Sequence, residues 1–433
     1  MADAPDEIDL TATDAELVPP ELVAQTLGEY VRAWLVRVRS GDAGILPVAV
    51  ALVLVGAAFY LVSPGHLFLS AGNLVNLFIQ SAVFIVLAMA EGFVLLLGEI
   101  DLSIGYVAAI GGVIAAVLVQ PAFNWPWWLA IVAALAACAG IGLVQGLIIT
   151  VLRLPSFVVT LGGYLFWFGV MIILLGQAGV VSLNSPTQSN QQALVAIVGG
   201  NIDPTLAWIG LALVVVIVVL AMWVPDIKRR RAGLVVPPIG LTILKTFLIV
   251  AAGVLVVGIC NVNRGKFLPV EGVPWVVPAV LFVLGAWTVL LERTQFGRHV
   301  YATGGNIEAA RRAGVSVQTV RVWGFVLCSM TAGIAGVVYA SWQGGMSTNI
   351  NGGQLVLYAV AAAVIGGTSL FGGRGRMIHG LLGGLVIGAI YNGLYLLGFQ
   401  IQWQLIATGL VLLAAVAVDA LSRRGAASSG APA

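Results

Sequence analysis

The chain of 433 residues is 60% hydrophobic and only 9% charged, with 54 glycines and a net charge of +2. Soluble globular domains carry about 25% charged residues, so this composition excludes that class, and the small net charge gives no reason to expect a nucleic-acid partner. Runs of about 20 apolar residues, the length that crosses a bilayer, recur along nearly the whole sequence. They do not alternate, so we predict an all-α polytopic membrane protein with about 10–12 transmembrane helices, some of them broken at glycine-rich turns.

The chain begins with an acidic segment, since nine of the 18 Asp and Glu residues lie in its first 42 positions. We expect residues 1–20 to be disordered and no cleavable signal peptide to be present. The apolar spacing in 21–39 predicts an amphipathic helix, which either lies on the membrane surface or contacts a partner. We therefore assign 1–44 to a cytoplasmic tail, 45–421 to a transmembrane domain and 422–433 to a second tail.

The apolar runs predict twelve membrane spans. They are 45–62, 74–97, 104–119, 127–151, 156–175, 206–224, 241–260, 274–291, 321–340, 354–370, 377–397 and 403–421. Nearly all loop Lys and Arg residues fall on one side of such a path, and Arg264 and Lys266 are the exceptions. Basic residues concentrate in cytoplasmic loops, so the pattern predicts an even number of spans with both termini in the cytoplasm.

The stretch LLLGEIDLSIG at 95–105 places Glu99 and Asp101 between two apolar runs. A charge at the centre of a membrane helix costs about 2.5–3.5 kcal/mol on insertion scales, so neither carboxylate should face lipid. Asp101 and Ser103 are both suitable N-caps for the next run. We predict a helix break at 98–103. The two acids either line a transport pathway or simply cap a helix at a cytoplasmic turn.

Two further features belong with this break. Glu91 lies inside the second span and must face protein or water. A second break is predicted in GGTSLFGGRGR at 366–376, which opens on four residues that are candidates for the pathway: Gly366, Gly367, Thr368 and Ser369. The loose similarity of the two breaks raises an internal duplication as an open alternative to chance, since transporters often contain such repeats.

The loop 292–320 contains the signals of a short helix. Asn306 is a suitable N-cap, Glu308 falls in the first turn, Arg311 and Arg312 fall in the last, and Gly314 can end the helix. A free-standing helix of about seven residues would be marginally stable, so something should hold it. Either a cytoplasmic partner docks on it, or it is a solvated connector.

Catalytic and metal-binding motifs are missing from the sequence. It contains no GxxxxGK[ST] phosphate loop, no HExxH or GxSxG motif, and no metal-ligand spacing of Cys and His. Cys138, Cys260 and Cys328 lie in or at the end of apolar runs and are expected to be small buried side chains. We therefore predict no cofactor, no metal and no enzymatic activity.

Several strings in order resemble the permease subunits of bacterial monosaccharide ATP-binding-cassette importers of the ribose, arabinose and xylose group. They are LSAGNLVNLFIQSAVFIVLAMA, GEIDLSIG, LPSFVVTLGG, FGRHVYATGGNIEAARRAGVSV and AVIGGTSLFGG. The resemblance runs from about residue 66 to residue 421. Within the group, the Glu of GEIDLSIG and the extra pair of spans at 206–260 favour the xylose-type permease.

The resemblance implies a homodimer of permease chains in the bacterial inner membrane, in contact with its lipids. A periplasmic sugar-binding protein would deliver the sugar, most simply D-xylose, and a cytoplasmic ATP-binding subunit would move the pathway. The coupling helix that receives this movement would comprise Gly304, Gly305, Asn306, Glu308, Arg311, Arg312 and Gly314. Two other classes stay open: an ion-coupled secondary transporter that uses Glu91, Glu99 and Asp101, and a membrane enzyme.

Overall fold

A computed structural model describes residues 26–39, 44–234, 236, 238–265, 268–410 and 413. The chain divides into two compact units. The large unit comprises Ile45–Ile202 and Val262–Leu421, and the small unit contains Asp203–Asn261. The expected disorder of 1–20 and the tail 422–433 lie outside the described residues.

The described part of the chain is almost entirely helical. Its first helices are α1 (Leu27–Arg39), α2 (Leu46–Val62), α3 (Ala71–Leu95), α4 (Ile104–Leu118), α5 (Trp127–Val151), α6 (Ser156–Leu175) and α7 (Ser189–Gly199), with a short 3-10 helix at Pro64–Leu69. The small unit contains α8 (Pro204–Arg231) and α9 (Ile239–Cys260). There follow α10 (Val276–Arg293), α11 (Gln295–Gly305), α12 (Ile307–Arg312), α13 (Val317–Gln343), α14 (Gly352–Gly366) and α15 (Met377–Leu396). Residues 401–410 are also helical.

The predicted spans coincide with these helices. Eight helices of the described residues are long and apolar enough to cross a membrane, and α2, α4 and α14 are shorter apolar helices. The last predicted span, 403–421, lies largely outside the described residues. The chain is therefore an all-α polytopic membrane protein, as the apolar runs predict.

Within the small unit, α8 and α9 are joined by polar contacts. Asp203 caps α8, because its Oδ1 accepts a hydrogen bond from Thr205 N at 2.9 Å. Trp223 Nε1 donates to Thr246 Oγ1 on α9 at 3.1 Å. The helix α8 continues past its predicted end to Arg231, which places four basic side chains in its last turn. Cations are favourable at that end of a helix dipole, so the basic run stabilises the extension.

The core of the large unit is built on α3 and α13. In each helix we consider the apolar stretch of 18 residues, of which 89% is buried in α3 and 67% in α13. Small residues allow this packing. A Cβ added at Gly142 on α5 would lie 2.3 Å from Phe325 O on α13, and one at Gly384 on α15 would lie 2.6 Å from Ile85 Cα on α3. These glycines therefore serve close helix packing within the chain.

The loops of the large unit gather into two groups. At one end, the strand β1 (Val180–Ser182) pairs antiparallel with β4 (Gly345–Ser347), and β2 (Asn201–Ile202) pairs with β3 (Val273–Pro274). Gln120 joins this group, since its Nε2 donates to Ser182 O at 3.0 Å. The opposite group contains the two helix breaks and the loop 292–320. Loops thus alternate between the ends, as expected of a chain that repeatedly crosses a membrane.

Candidate functional site at the helix breaks

The first break connects α3 to α4 through residues 96–103. Gly98 has a positive φ of 76°, and Glu99 N donates to Val94 O at 3.0 Å. A glycine in the left-handed region followed by such a back-reaching bond is a common way to end a helix. The sequence prediction of a break at 98–103 agrees with this backbone.

Asp101 is fully buried and organises the start of α4. Its Oδ1 accepts hydrogen bonds from Ser103 N at 2.9 Å and from Ser103 Oγ at 2.6 Å. Ser103 is the N-cap residue, but its side chain makes no capping bond to the helix. Instead its Oγ accepts from Gln145 Nε2 at 2.8 Å, and Cys328 Sγ lies 3.8 Å from Asp101 Oδ2. Of the two candidate N-caps, Ser103 occupies the N-cap position and Asp101 does not. The capping bond expected of Ser103 is replaced by contacts with Asp101 and with Gln145 on α5.

Glu91 faces protein, as expected, and none of its surface is exposed. Its Oε1 accepts a hydrogen bond from Asp101 N at 3.2 Å. Its Oε2 has no hydrogen-bond partner among the described residues. This side chain therefore ties the C-terminal part of α3 to the first break.

Glu99 pairs with Arg321, whose Nε donates to Glu99 Oε1. The side chains are 9% and 25% exposed respectively, so the pair is largely shielded from solvent. The Ser156 hydroxyl at the start of α6 also interacts with the Glu99 carboxylate. The charge pattern of the sequence only places Arg321 among the basic residues of one side and does not predict this partnership. One signal was available: an acid and a basic residue are both predicted at span ends on the same side of the membrane.

The second break connects α14 to α15 through residues 367–376. Gly367 has a φ of 111°, and Thr368 N donates to Ala363 O at 2.9 Å, which ends α14. Thr368 and Ser369 are both 4% exposed. A Cβ at Gly366 would lie 1.9 Å from His379 O, so this glycine lets α14 and α15 meet at the break.

The two breaks are direct neighbours. Gly373 N in the second break donates to Leu96 O in the first at 2.9 Å. A Cβ at Gly372 would lie 2.9 Å from Gly98 N, so the two backbones approach with no room for a side chain. Movement of one break therefore displaces the other. The internal duplication remains a prediction.

The loop 292–320 forms the short helix that its sequence predicts, preceded by the unpredicted α11. Asn306 is the N-cap of α12, and its Oδ1 accepts from Ala309 N at 2.9 Å. Gly314 follows the helix with a φ of 83°. Glu308 lies in the first turn of α12, and Arg311 and Arg312 lie in the last. The helix α11 begins at a Thr294 cap, whose Oγ1 accepts from Gly297 N at 3.3 Å.

The end of α11 is seated on both breaks. A Cβ at Gly304 would lie 1.8 Å from Leu96 O and 2.7 Å from Gly373 N. Tyr301 Oη donates to Gly375 O at 2.8 Å, and burial together with the charge of Glu292 raises the pKa of this phenol. We call residues 96–101, 301–305, 321 and 371–376 the junction. The sequence analysis expects something to hold the short helix α12. The junction does so, because α12 follows it directly in the chain.

The surface of α12 is open. Ala310 is buried at 4% exposure, whereas Ile307 is 44% exposed. Arg311 Nη1 donates to Glu308 Oε1 at 2.6 Å, and these side chains are 62% and 65% exposed. An exposed pair of this kind contributes about 0–1 kcal/mol to stability. Both side chains are therefore available to a partner.

The described residues contain no group of three or more His, Cys, Asp or Glu that could hold a metal ion. The junction consists of close backbone contacts and the ion pair between Arg321 and Glu99, and its Arg376 Nε also contacts Glu292 Oε1 outside the junction at 2.7 Å.

Comparisons with known proteins agree with a transport role. Residues 73–416 match the family described as the permease component of the branched-chain amino acid transport system. The chain is 32% identical over 380 residues to the xylose transport system permease protein of Haemophilus influenzae, covering 88% of this chain and 96% of that protein. It is 31% identical to the xylose transport system permease protein of Escherichia coli K12, covering 87% and 92%.

Relatives named for another sugar are similarly close. The chain is 29% identical to the ribose import permease protein of Escherichia coli K12, covering 90% of this chain and 95% of that protein. No solved structure matches the chain. The resemblance seen in the sequence motifs is thus confirmed: the chain is a transport subunit, and it belongs to the family of branched-chain amino acid transport system permease components.

Proposed function

We propose that the chain is the transmembrane permease subunit of an ATP-binding-cassette importer that passes a monosaccharide, D-xylose, into the cytoplasm. The relatives named above, together with a D-allose transport system permease protein of Escherichia coli K12 at 28% identity, are named for three different sugars. The sequence features that favour the xylose type, Glu99 and the helical pair of the small unit, select D-xylose among them.

The observation that carries this function is the seating of α12. An exposed helix of six residues follows directly from a segment packed on both breaks. In the proposed complex α12, with its flanking residues Gly304 to Gly314, is the coupling helix that docks on an ATP-binding subunit. The breaks, including Glu99, Asp101, Ser103 and Gly366 to Ser369, then adjust the pathway between outward-facing and inward-facing states.

The remaining partners follow from the same proposal. A periplasmic binding protein delivers the sugar, and two permease chains form the pathway in the inner membrane, with both termini cytoplasmic. The division into a tail at 1–44, a permease domain at 45–421 and a tail at 422–433 belongs to this proposal. The alternation of the large unit's loops between two ends supports the orientation, because it places the basic loop 292–320 with both breaks.

Reconstitution into liposomes tests the function. The chain is assembled with its ATP-binding subunit and binding protein, and uptake of labelled D-xylose is measured with ATP enclosed on the cytoplasmic side. Uptake that requires ATP and survives collapse of proton and sodium gradients is expected. Uptake by this chain alone, driven by an ion gradient, would instead establish the ion-coupled alternative that uses Glu91, Glu99 and Asp101.

The identity of the sugar has its own test. The same liposomes are given labelled D-xylose with a tenfold excess of unlabelled D-xylose, ribose or D-allose. We expect D-xylose to compete most strongly. Stronger competition by ribose or D-allose would correct the substrate and leave the class of transporter unchanged.

A further inference from the structure

The loop 292–320, called the docking loop from here on, holds the two breaks through contacts of different kinds. On the second break it makes polar bonds: Tyr301 donates to Gly375 O, and Glu292 pairs with Arg376. On the first break the end of α11 packs closely, with Gly304 against Leu96 O. A close packing contact resists approach but resists separation only weakly, since dispersion between single atom pairs is small. An indirect attraction runs through the second break, whose Gly373 N donates to Leu96 O. A direct pull on the first break needs an attractive contact of its own.

The ion pair between Arg321 and Glu99 supplies such a contact. Arg321 lies four residues after the start of α13, so about 6 Å of helix separates it from Val317. The preceding helix α12 is joined to α13 by a short turn. Val315 N in this turn donates to Ala310 O in α12 at 3.0 Å. A displacement of α12 therefore reaches Arg321 through a short and well-bonded path.

The pair also leads onward into the membrane domain. Glu99 is two residues from Asp101, whose carboxylate holds Ser103 at the start of α4 and whose backbone N–H is bonded to Glu91 on α3. One turn along α13, a Cβ at Gly324 would lie 2.5 Å from Leu97 Cδ1, so the base of α13 and the first break are in contact at a second point. Pulling on Glu99 thus shifts the connection between α3 and α4.

We propose that Arg321 and Glu99 are positioning residues of the transport cycle, whose ion pair draws the first break along with the docking loop when α12 retracts. This inference rests on the proposed function. It distinguishes two directions of movement. The Gly304 contact transmits movement of the docking loop towards the first break, and the ion pair transmits movement away from it. Loss of the pair should uncouple ATP hydrolysis from sugar uptake without preventing assembly of the complex.

The test compares Glu99→Gln, Arg321→Gln and the exchanged double variant Glu99→Arg with Arg321→Glu in liposomes with the partner subunits. Sugar uptake and ATP hydrolysis are measured on the same samples. In each single variant we expect uptake per ATP to fall about tenfold, within the 5–150-fold span of typical coupling energies, while ATP hydrolysis stays within about twofold of the wild type. The exchanged variant should regain part of the loss. Lys228→Gln, which removes an exposed charge at the end of α8, should leave both rates unchanged.

Two outcomes separate this inference from the proposed function. Wild-type uptake that needs no ATP overturns the function, whatever the variants do. If wild-type uptake depends on ATP but both single variants keep the wild-type ratio of uptake to ATP hydrolysis, the inference is overturned and the proposed function stands. If the neutral variants do not assemble, Glu99→Asp keeps the charge on a shorter side chain. Its uptake per ATP should fall about fivefold, at the weak end of typical coupling, and an unchanged ratio overturns the inference.

Discussion

Gly304 lies against the Leu96 carbonyl so closely that a Cβ at position 304 would be 1.8 Å from that oxygen. Leu96 O also accepts a hydrogen bond from Gly373 N at 2.9 Å. One carbonyl therefore joins the docking loop, the first break and the second break. Three segments that are distant in sequence converge on a single backbone atom.

Gly304→Ala should disturb this point directly. The added methyl group meets backbone atoms, which cannot move aside as a flexible side chain could, and overpacking of this kind costs about 1–3 kcal/mol. We expect a lower thermal midpoint in detergent and reduced ATP-dependent uptake. The matched control is Gly305→Ala, where a Cβ would meet nothing within 4 Å. Equal effects of the two substitutions would contradict the close contact.

Glu308→Ala combined with Arg311→Ala should uncouple transport. Both side chains are exposed on α12, so their removal costs the permease itself little stability, about 0–1 kcal/mol. We expect a normal thermal midpoint, weaker binding of the ATP-binding subunit and a lower ratio of uptake to ATP hydrolysis. Normal coupling in this double variant would argue against docking on α12.

Glu91→Gln distinguishes the two classes of transporter. The amide keeps an oxygen that can accept from Asp101 N, as Glu91 Oε1 does at 3.2 Å, but it cannot exchange a proton or bind a cation as a carboxylate does. For an ATP-driven importer we expect D-xylose uptake close to that of the wild type. The ion-coupled alternative would be supported if wild-type uptake depends on an ion gradient and the Glu91→Gln variant abolishes it. Glu91→Leu, which loses the acceptor, should lower the thermal midpoint in either case.

Gly142→Ala tests close packing between α5 and α13. A Cβ there would lie 2.3 Å from Phe325 O, whereas one at Gly140 on the same helix would meet nothing within 4 Å. We expect Gly142→Ala to destabilise the permease by about 1–3 kcal/mol through overpacking. Gly140→Ala should be neutral or stabilising by up to about 1 kcal/mol, because Ala has the higher helix propensity. Thermal unfolding in detergent, measured on both variants, checks the difference.

Much of the architecture could be predicted because its signals are local. An apolar run long enough to cross a bilayer forms a helix wherever it occurs, since the backbone must satisfy its own hydrogen bonds in lipid. The break after Gly98 and the helix α12 were likewise predictable, because a glycine ends a helix and Asn306 begins one through contacts within a few residues. The sequence alone therefore determined the long apolar helices, the two breaks and α12, but not α7 or α11.

The tertiary structure alone decided how these elements meet. Glu99 and Arg321 are 222 positions apart, and no local pattern links them. The role of Gly304 is equally invisible in the sequence, since a Cβ at the adjacent Gly305 would meet nothing within 4 Å. Helix packing fixes such partners, because close backbone approach and the pairing of shielded charges depend on which faces the whole membrane domain brings together.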